Sequence, residues 1–320
     1  MGATTGRVGA AMASTDGGAP ESAPAAVEPT GWATTADGVE IAYYELGGRG
    51  PAVVLAHATG FCAAVLVPVA KRLMAAGWRC MAFDARGHGR SGRPADGDFS
   101  WSGFATDVLT VTERLELEAP FGFGHSCGGA ALLLGEERRP GTFRALYCYE
   151  PIVYAGHPPP EPRLEGNPLA EGALRRREWF ASYGEARGNF AGKAPFDRLD
   201  DEVLSAYVAN GFGPAGGGVA LRCRREDEAA VYGHSLAHDA FAHLGELRCP
   251  VTLAGGAETD AIGPSYLARL AAPVAEATVE VFPGLGHFGP LEDPAALARS
   301  VAAAAGGVGG TGRSRRVDPL

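Results

Sequence analysis

The chain has 320 residues, a formal net charge of −9 and 46% hydrophobic residues. That length and apolar content support one large domain, or a domain carrying an insertion. The negative charge argues against nucleic acid as a main partner, and no apolar run approaches the roughly 20 residues of a membrane span.

Residues 1–28 are rich in Ala, Gly, Ser, Thr and Pro and are expected to be disordered, as is the Gly- and Arg-containing tail 306–320. No basic segment followed by an apolar one opens the chain, so no secretory leader is expected. Six cysteines (62, 80, 127, 148, 223 and 249) follow no CxxC spacing. They read as small buried hydrophobes in a reducing, cytoplasmic compartment, not as a disulfide or zinc framework.

In chain order, residues 32–35 and 39–45 flank Asp37-Gly38, a hairpin signal. The continuous apolar run 52–56 predicts a strand buried on both faces, ending in His57-Ala58-Thr59-Gly60-Phe61. A helix to about 76 and a strand at 78–83 follow, the latter ending in Asp84-Ala85-Arg86-Gly87-His88-Gly89-Arg90-Ser91-Gly92. Ser100 suits the N-cap of a helix to about 117. Residues 121–134 read as strand, sharp turn and apolar helix, and 143–149 as a further strand closed by Glu150-Pro151.

This alternation predicts a mostly parallel, eight-stranded sheet flanked by helices. It breaks over 152–247, where helical patterns at 175–183, 201–210 and 225–243 lie between Gly/Pro-rich loops. That stretch is expected to be an inserted helical cap dividing a core of 29–151 and 248–305. Beyond it, 250–254 and 277–282 read as strands, and 264–270 and 294–305 as helices.

Gly124-His125-Ser126-Cys127-Gly128 fits the G-x-S-x-G nucleophile elbow. A serine at so tight a turn is exposed beside helix N–H groups that lack partners and could hold an oxyanion. Serine needs an adjacent base, itself steered by a carboxylate. His287 follows a strand in a Gly-rich loop, and Asp260 follows the preceding strand. The order Ser126, Asp260, His287 is the candidate set. Glu150, past the strand after the elbow helix, is the rival acid, and Glu258 a weaker third. Cys127 is disfavoured as nucleophile because Ser126 occupies the tip. His125 is expected to pack against the loop at 57–60. Asp84, Arg86 and Ser91 are expected to brace their loop. His234, His238 and His243 lack an HExxH pattern, so no metal is expected.

Four motifs together resemble the α/β-hydrolase fold family over roughly 30–305: His57 to Gly60, Asp84 to Gly92, Gly124 to Gly128, and Gly284-Leu285-Gly286-His287-Phe288. The resemblance, closest to the esterase/haloperoxidase-like branch, implies an α/β-hydrolase fold and oxyanion N–H groups from Thr59 and Cys127. It also implies that Glu150 stands where haloalkane-dehalogenase-like members place their acid. Ala58 and Ala257 depart from the usual glycines. The expected activity is hydrolysis of a small to medium, largely apolar ester through an acyl-enzyme, without cofactor. Carbon–carbon bond hydrolysis or perhydrolysis by the same three residues is the near alternative, and a slow receptor-like binder the distant one. Phe61, Trp179, Phe180, Tyr183 and Phe288 are candidate substrate-binding residues. A small-molecule substrate is the expected partner, and a homo-oligomer is compatible with the composition.

Overall fold

The computed structural model describes residues 25–156 and 162–307. The segments expected to be disordered lie mostly outside these residues. At the inner edge of the first, however, chain order is evident. The Val27 N–H donates to Asn210 Oδ1 (2.8 Å), and Glu28 pairs with Arg90 (2.9 Å).

The first half of the chain lays down β1 (Gly31–Thr34), β2 (Glu40–Gly47), β3 (Ala52–Ala56), α1 (Val67–Ala75), β4 (Arg79–Phe83), α2 (Trp101–Arg114), β5 (Phe121–His125), α3 (Cys127–Arg138) and β6 (Ala145–Tyr149). An insertion follows with α4 (Pro168–Leu174), β7 (Trp179–Phe180), α5 (Tyr183–Ala191), α6 (Asp201–Gly211), β8 (Phe212–Ala215), β9 (Gly218–Leu221), α7 (Arg225–Gly233) and α8 (Ala240–His243). The chain then returns through β10 (Val251–Gly256), α9 (Pro264–Ala271), β11 (Ala277–Phe282), α10 (Gly289–Glu292) and α11 (Pro294–Gly307).

The eight-stranded sheet has the order β1-β2-β4-β3-β5-β6-β10-β11. β1 and β2, and β2 and β4, pair antiparallel; every other pairing is parallel. Successive side chains of a strand point to opposite faces. Val53, Leu55, Phe121, Phe123 and Tyr147 therefore join the core under α1 and α11. Val54, Ala56, Leu146 and Cys148 join the core under α2, α3 and α9. Because both faces are covered, the central strands have no polar face, which is why they read as unbroken apolar runs. All six cysteines are buried and free. Among the described residues no helix is long and apolar enough to cross a membrane.

The insertion departs from the all-helical expectation. It contains a three-stranded antiparallel sheet, β7-β9-β8. Ala215 pairs with Gly218 across a two-residue turn in which Gly216 and Gly217 have φ of 54° and 79°. Two positive φ values are what such a hairpin turn demands, and Pro214 is tolerated because β8 is an edge strand. Residues 175–183, expected as helix, instead hold the short β7. The helix expected over 225–243 stops at Gly233 and resumes only as α8.

The loop after β4 is braced as expected. The Asp84 carboxylate accepts from the Tyr44 hydroxyl (2.6 Å) and from the N–H groups of Ala63 (2.7 Å) and Arg90 (2.8 Å). Ser91 Oγ donates to the Asp84 carbonyl (2.5 Å). Arg86, 1% exposed, pairs with Asp107, which is fully buried, and with Asp37. Burial pushes the Asp107 carboxyl up to about 6 despite the guanidinium beside it. Removing one member of such a buried pair strands the other charge and costs about 3–5 kcal/mol. Arg86→Met should therefore lower the thermal midpoint by roughly 10 °C. A midpoint within about 2 °C of the wild type would show that the pair does not hold the loop.

Candidate active site

Ser126 stands between the last residue of β5 and the first of α3, with φ 55° and ψ −116°. A non-glycine residue so placed carries about 1–3 kcal/mol of strain, held by its surroundings. A methyl group at Gly124 would lie 2.6 Å from the Gly128 carbonyl carbon, and one at Gly128 would lie 2.4 Å from the Ala56 carbonyl oxygen. Strand, helix and β3 thus meet backbone to backbone, and only glycine fits at either position. The Ser126 N–H donates to the Tyr149 carbonyl (2.9 Å), which ties the turn to β6.

β6 lies beside β5, with His125 opposite Tyr149. The next residue of each strand is therefore a neighbour at the same sheet edge: Ser126 and Glu150. His287, on the loop after β11, completes a line. Its Nε2 is 3.2 Å from Ser126 Oγ, and its Nδ1 is 2.7 Å from Glu150 Oε2. A carboxylate can only accept, so Nδ1 carries the proton and Nε2 is left to accept from the serine hydroxyl.

The carboxylate partner of His287 is thus Glu150, and the assignment of Asp260 is corrected. Asp260 is exposed on the loop after β10. That loop serves Glu150 instead of replacing it. Thr259 Oγ1 (2.7 Å) and the N–H groups of Gly256 (2.9 Å) and Ile262 (3.3 Å) all donate to the Glu150 carboxylate. Glu150 is fully buried. Burial alone would raise its pKa, but the His287 imidazole and these donors outweigh it and hold the carboxyl below its usual value. Glu258, the third candidate, is exposed and pairs with Arg198.

His125 packs against the His287 loop, and it also lies beside His57, since β3 and β5 pair Ala56 with Gly124. Its Nε2 donates to the His287 carbonyl (2.8 Å), and the two rings lie 5.2 Å apart. Burial holds the His125 imidazole well below its ordinary pKa, so it is a fixed neutral donor.

The 57–60 loop is shaped by two more buried imidazoles. His57 Nδ1 donates to the Ala58 carbonyl (2.8 Å) while its Nε2 accepts the Ala85 N–H (3.0 Å). His88 Nδ1 donates to the Arg86 carbonyl (2.9 Å) while its Nε2 accepts the Gly60 N–H (3.0 Å). Burial pushes both down to about 4. The Phe61 N–H goes to the Ala58 carbonyl. The N–H groups of Ala58 and Thr59 have no partner among the described residues, so this loop leaves donors free beside Ser126. Cys127, as the first residue of α3, has an N–H with no partner inside its helix. Its thiol is pushed up to about 12 by burial, so it is no thiolate nucleophile.

Of the candidate pocket residues, the structure brings two to this site. Phe288 packs against His287 (5.1 Å between centroids) and Phe61 (5.8 Å). Phe61 in turn meets Phe196 (5.6 Å) and Tyr207 (5.3 Å) of the insertion. Tyr183 is half-buried against the same cluster. Phe180 and Trp179 do not line the site. Phe180 is wholly buried against Phe190 and Phe212, inside the insertion's own core. Trp179 is 44% exposed and donates to the Ala215 carbonyl. A two-residue strand points its side chains to opposite faces, which put one of this pair inside and the other outside.

His238 stacks on Trp101 and bonds the Ile152 carbonyl, while His243 faces Glu137, Asp239 and Glu246. Two residues near the site carried no motif in the sequence, Arg176 and Glu228. They form an ion pair against Gly60.

The profile of the "Alpha/beta hydrolase family" matches residues 53–300. A protein of Caulobacter sp. (strain K31) with the provisional name carbamate hydrolase RutD is 26% identical over 275 residues, covering 83% of this chain and 95% of that protein. The bifunctional esterase/perhydrolase DCH of Acinetobacter calcoaceticus is 31% identical over 43% of this chain, and the match spans only about half (49%) of DCH. The peroxisomal α/β-hydrolase Lpx1 of Saccharomyces cerevisiae superposes with a TM-score of 0.73 at 19% identity, covering 88% of this chain and 85% of that one. Profile, sheet order and elbow agree, and the chain belongs to the α/β-hydrolase family.

Proposed function

We propose that the protein is a serine hydrolase that cleaves a small to medium, largely apolar ester through an acyl-enzyme. The observation that carries this reading is the unbroken line Ser126 Oγ, His287 and Glu150, at 3.2 and 2.7 Å. Ser126 attacks the acyl carbon while His287 Nε2 takes its proton. Glu150 holds the imidazole in the tautomer that can accept and stabilises the imidazolium once formed. The oxyanion is held by the N–H groups of Thr59 and Cys127. His287 then returns its proton to the leaving alcohol, and water, activated by the same imidazole, releases the acid.

The aromatic wall of Phe61, Phe196, Tyr207 and Phe288 suits an apolar acyl or aryl group. Likeness to an esterase/perhydrolase keeps peroxide in place of water as a second reading of the deacylation step. A slow receptor-like binder would give one burst of product, where an esterase turns over many times.

Ser126→Ala should reduce turnover of short p-nitrophenyl esters by at least about 1,000-fold, with an unchanged circular dichroism spectrum; undiminished turnover would sink the assignment. Glu150→Gln should cost roughly 100- to 10,000-fold in kcat, while Asp260→Asn stays within about twofold. The reverse pattern would restore Asp260 as the acid.

A pH prediction follows from the buried imidazoles. His57 and His88 sit near 4 in the fold against an ordinary 6.5, both through burial. Between those values the unfolded chain binds more protons than the folded one, so stability rises with pH across that window. Asp84 and Asp107, whose carboxyls burial raises, oppose this trend toward the acid end, so the thermal midpoint should fall most clearly as pH is lowered from about 6.5 to about 6. A midpoint that rises over that interval would show that these rings are not held neutral.

A further inference from the structure

The Arg176–Glu228 pair sits where a charge has consequences. Glu228, on the first turn of α7, is 4% exposed. Arg176, between α4 and β7, reaches it with one Nη and donates the other to the Tyr207 hydroxyl (2.7 Å). The guanidinium also lies over the Phe190 ring, 5.7 Å from its centroid. A methyl group built on Gly60 would stand 2.6 Å from Glu228 Oε1 and 3.2 Å from Arg176 Nη1. The pair thus rests on the residue next to Thr59, whose N–H is free for an oxyanion. Asp227, the neighbour of Glu228, is buried and takes Arg93 of the core loop (2.6 Å). Asp227 therefore ties α7 to the core loop through Arg93, while Glu228 packs against Gly60 and finds its ion pair within the insertion.

A buried carboxylate in that position is a problem for the chemistry. An oxyanion forming on the Thr59 and Cys127 N–H groups would be repelled by a bare Glu228 in a low-dielectric setting. Pairing with Arg176 removes the repulsion while leaving Glu228 in place against Gly60. We propose that Arg176 and Glu228 are a positioning pair for the oxyanion loop, in which Glu228 seats the cap on Gly60 and Arg176 cancels its charge beside the forming oxyanion. The inference rests on the serine-hydrolase reading above.

The test is the rate at which a fluorophosphonate probe labels Ser126, since attack at phosphorus builds negative charge on oxygen in the same hole and requires no knowledge of the natural substrate. Arg176→Met should slow labelling about 10- to 100-fold, and ester kcat should fall with it while KM stays within about twofold. Glu228→Gln should change labelling by no more than about threefold. The double variant Arg176→Met/Glu228→Gln should return to within about threefold of Glu228→Gln, because no bare charge remains. Arg176→Lys, which keeps the charge, should stay within about fivefold of the wild type. If Arg176→Met does not fold, Arg176→Gln takes its place, with the same 10- to 100-fold slowing expected. A double variant as slow as Arg176→Met, or Arg176→Lys slowed tenfold or more, would overturn the charge-cancelling role. Rates unchanged in every variant would overturn the pair's role altogether. A wild-type protein labelled elsewhere than Ser126, or not at all, would overturn the hydrolase reading and this inference with it.

Discussion

The structure depends on the close crossing of β5, α3 and β3 beneath Ser126. Gly124 and Gly128 let three backbones approach to distances that a single methyl group would forbid. This crossing forces Ser126 into its positive-φ conformation, at a cost of about 1–3 kcal/mol. Tight packing of the buried sheet supports that strain, since β3 and β5 are almost entirely sealed from solvent. The same bend aims the side chain at the carboxyl-end edge of the sheet. In an open parallel sheet, loops from several strands converge at that edge. His57 to Gly60, Ser126, Glu150 and His287 all arrive there from different strands.

Around this point the protein manages buried polar groups in two ways. Some are neutral by burial. His57, His88 and His125 each use one ring nitrogen or both to hold a backbone group of a neighbouring loop. A neutral imidazole can donate at one nitrogen and accept at the other, which an imidazolium cannot. Others stay charged because enough donors face them. Glu150 is surrounded by an imidazole, a hydroxyl and two backbone N–H groups. Arg86 with Asp107, and Arg176 with Glu228, cancel one another at close range. Every one of these charges lies on or beside a loop that shapes the candidate site. Dense polar satisfaction of this kind makes a site rigid and makes the loss of one partner costly.

How much of this could be read from residue order depends on the range of the cause. The strands β3 and β11 were legible to the residue, because an apolar run or turn punctuation is a local signal. The elbow was legible because its glycines are needed within two residues of the serine. The hairpin of β8 and β9 was not, since its Gly- and Pro-rich sequence looks like a loop until antiparallel pairing is seen. Asp260 looked like the acid because it follows a strand at the correct edge. What rules it out is that Thr259 and Ile262 fold back to serve Glu150, and that Asp260 itself faces solvent.

The sequence by itself determined the family-wide plan: alternating strands and helices, the serine turn, the distant histidine and an insertion between two halves of a core. Each of those rests on composition or on spacing over a few residues. Only the tertiary structure decided which carboxylate steers the imidazole, which aromatics of the insertion reach the site, and that Arg176 and Glu228 meet at Gly60. Those outcomes turn on contacts between segments 52 or more residues apart, where periodicity carries no information and packing and polar pairing select the partner.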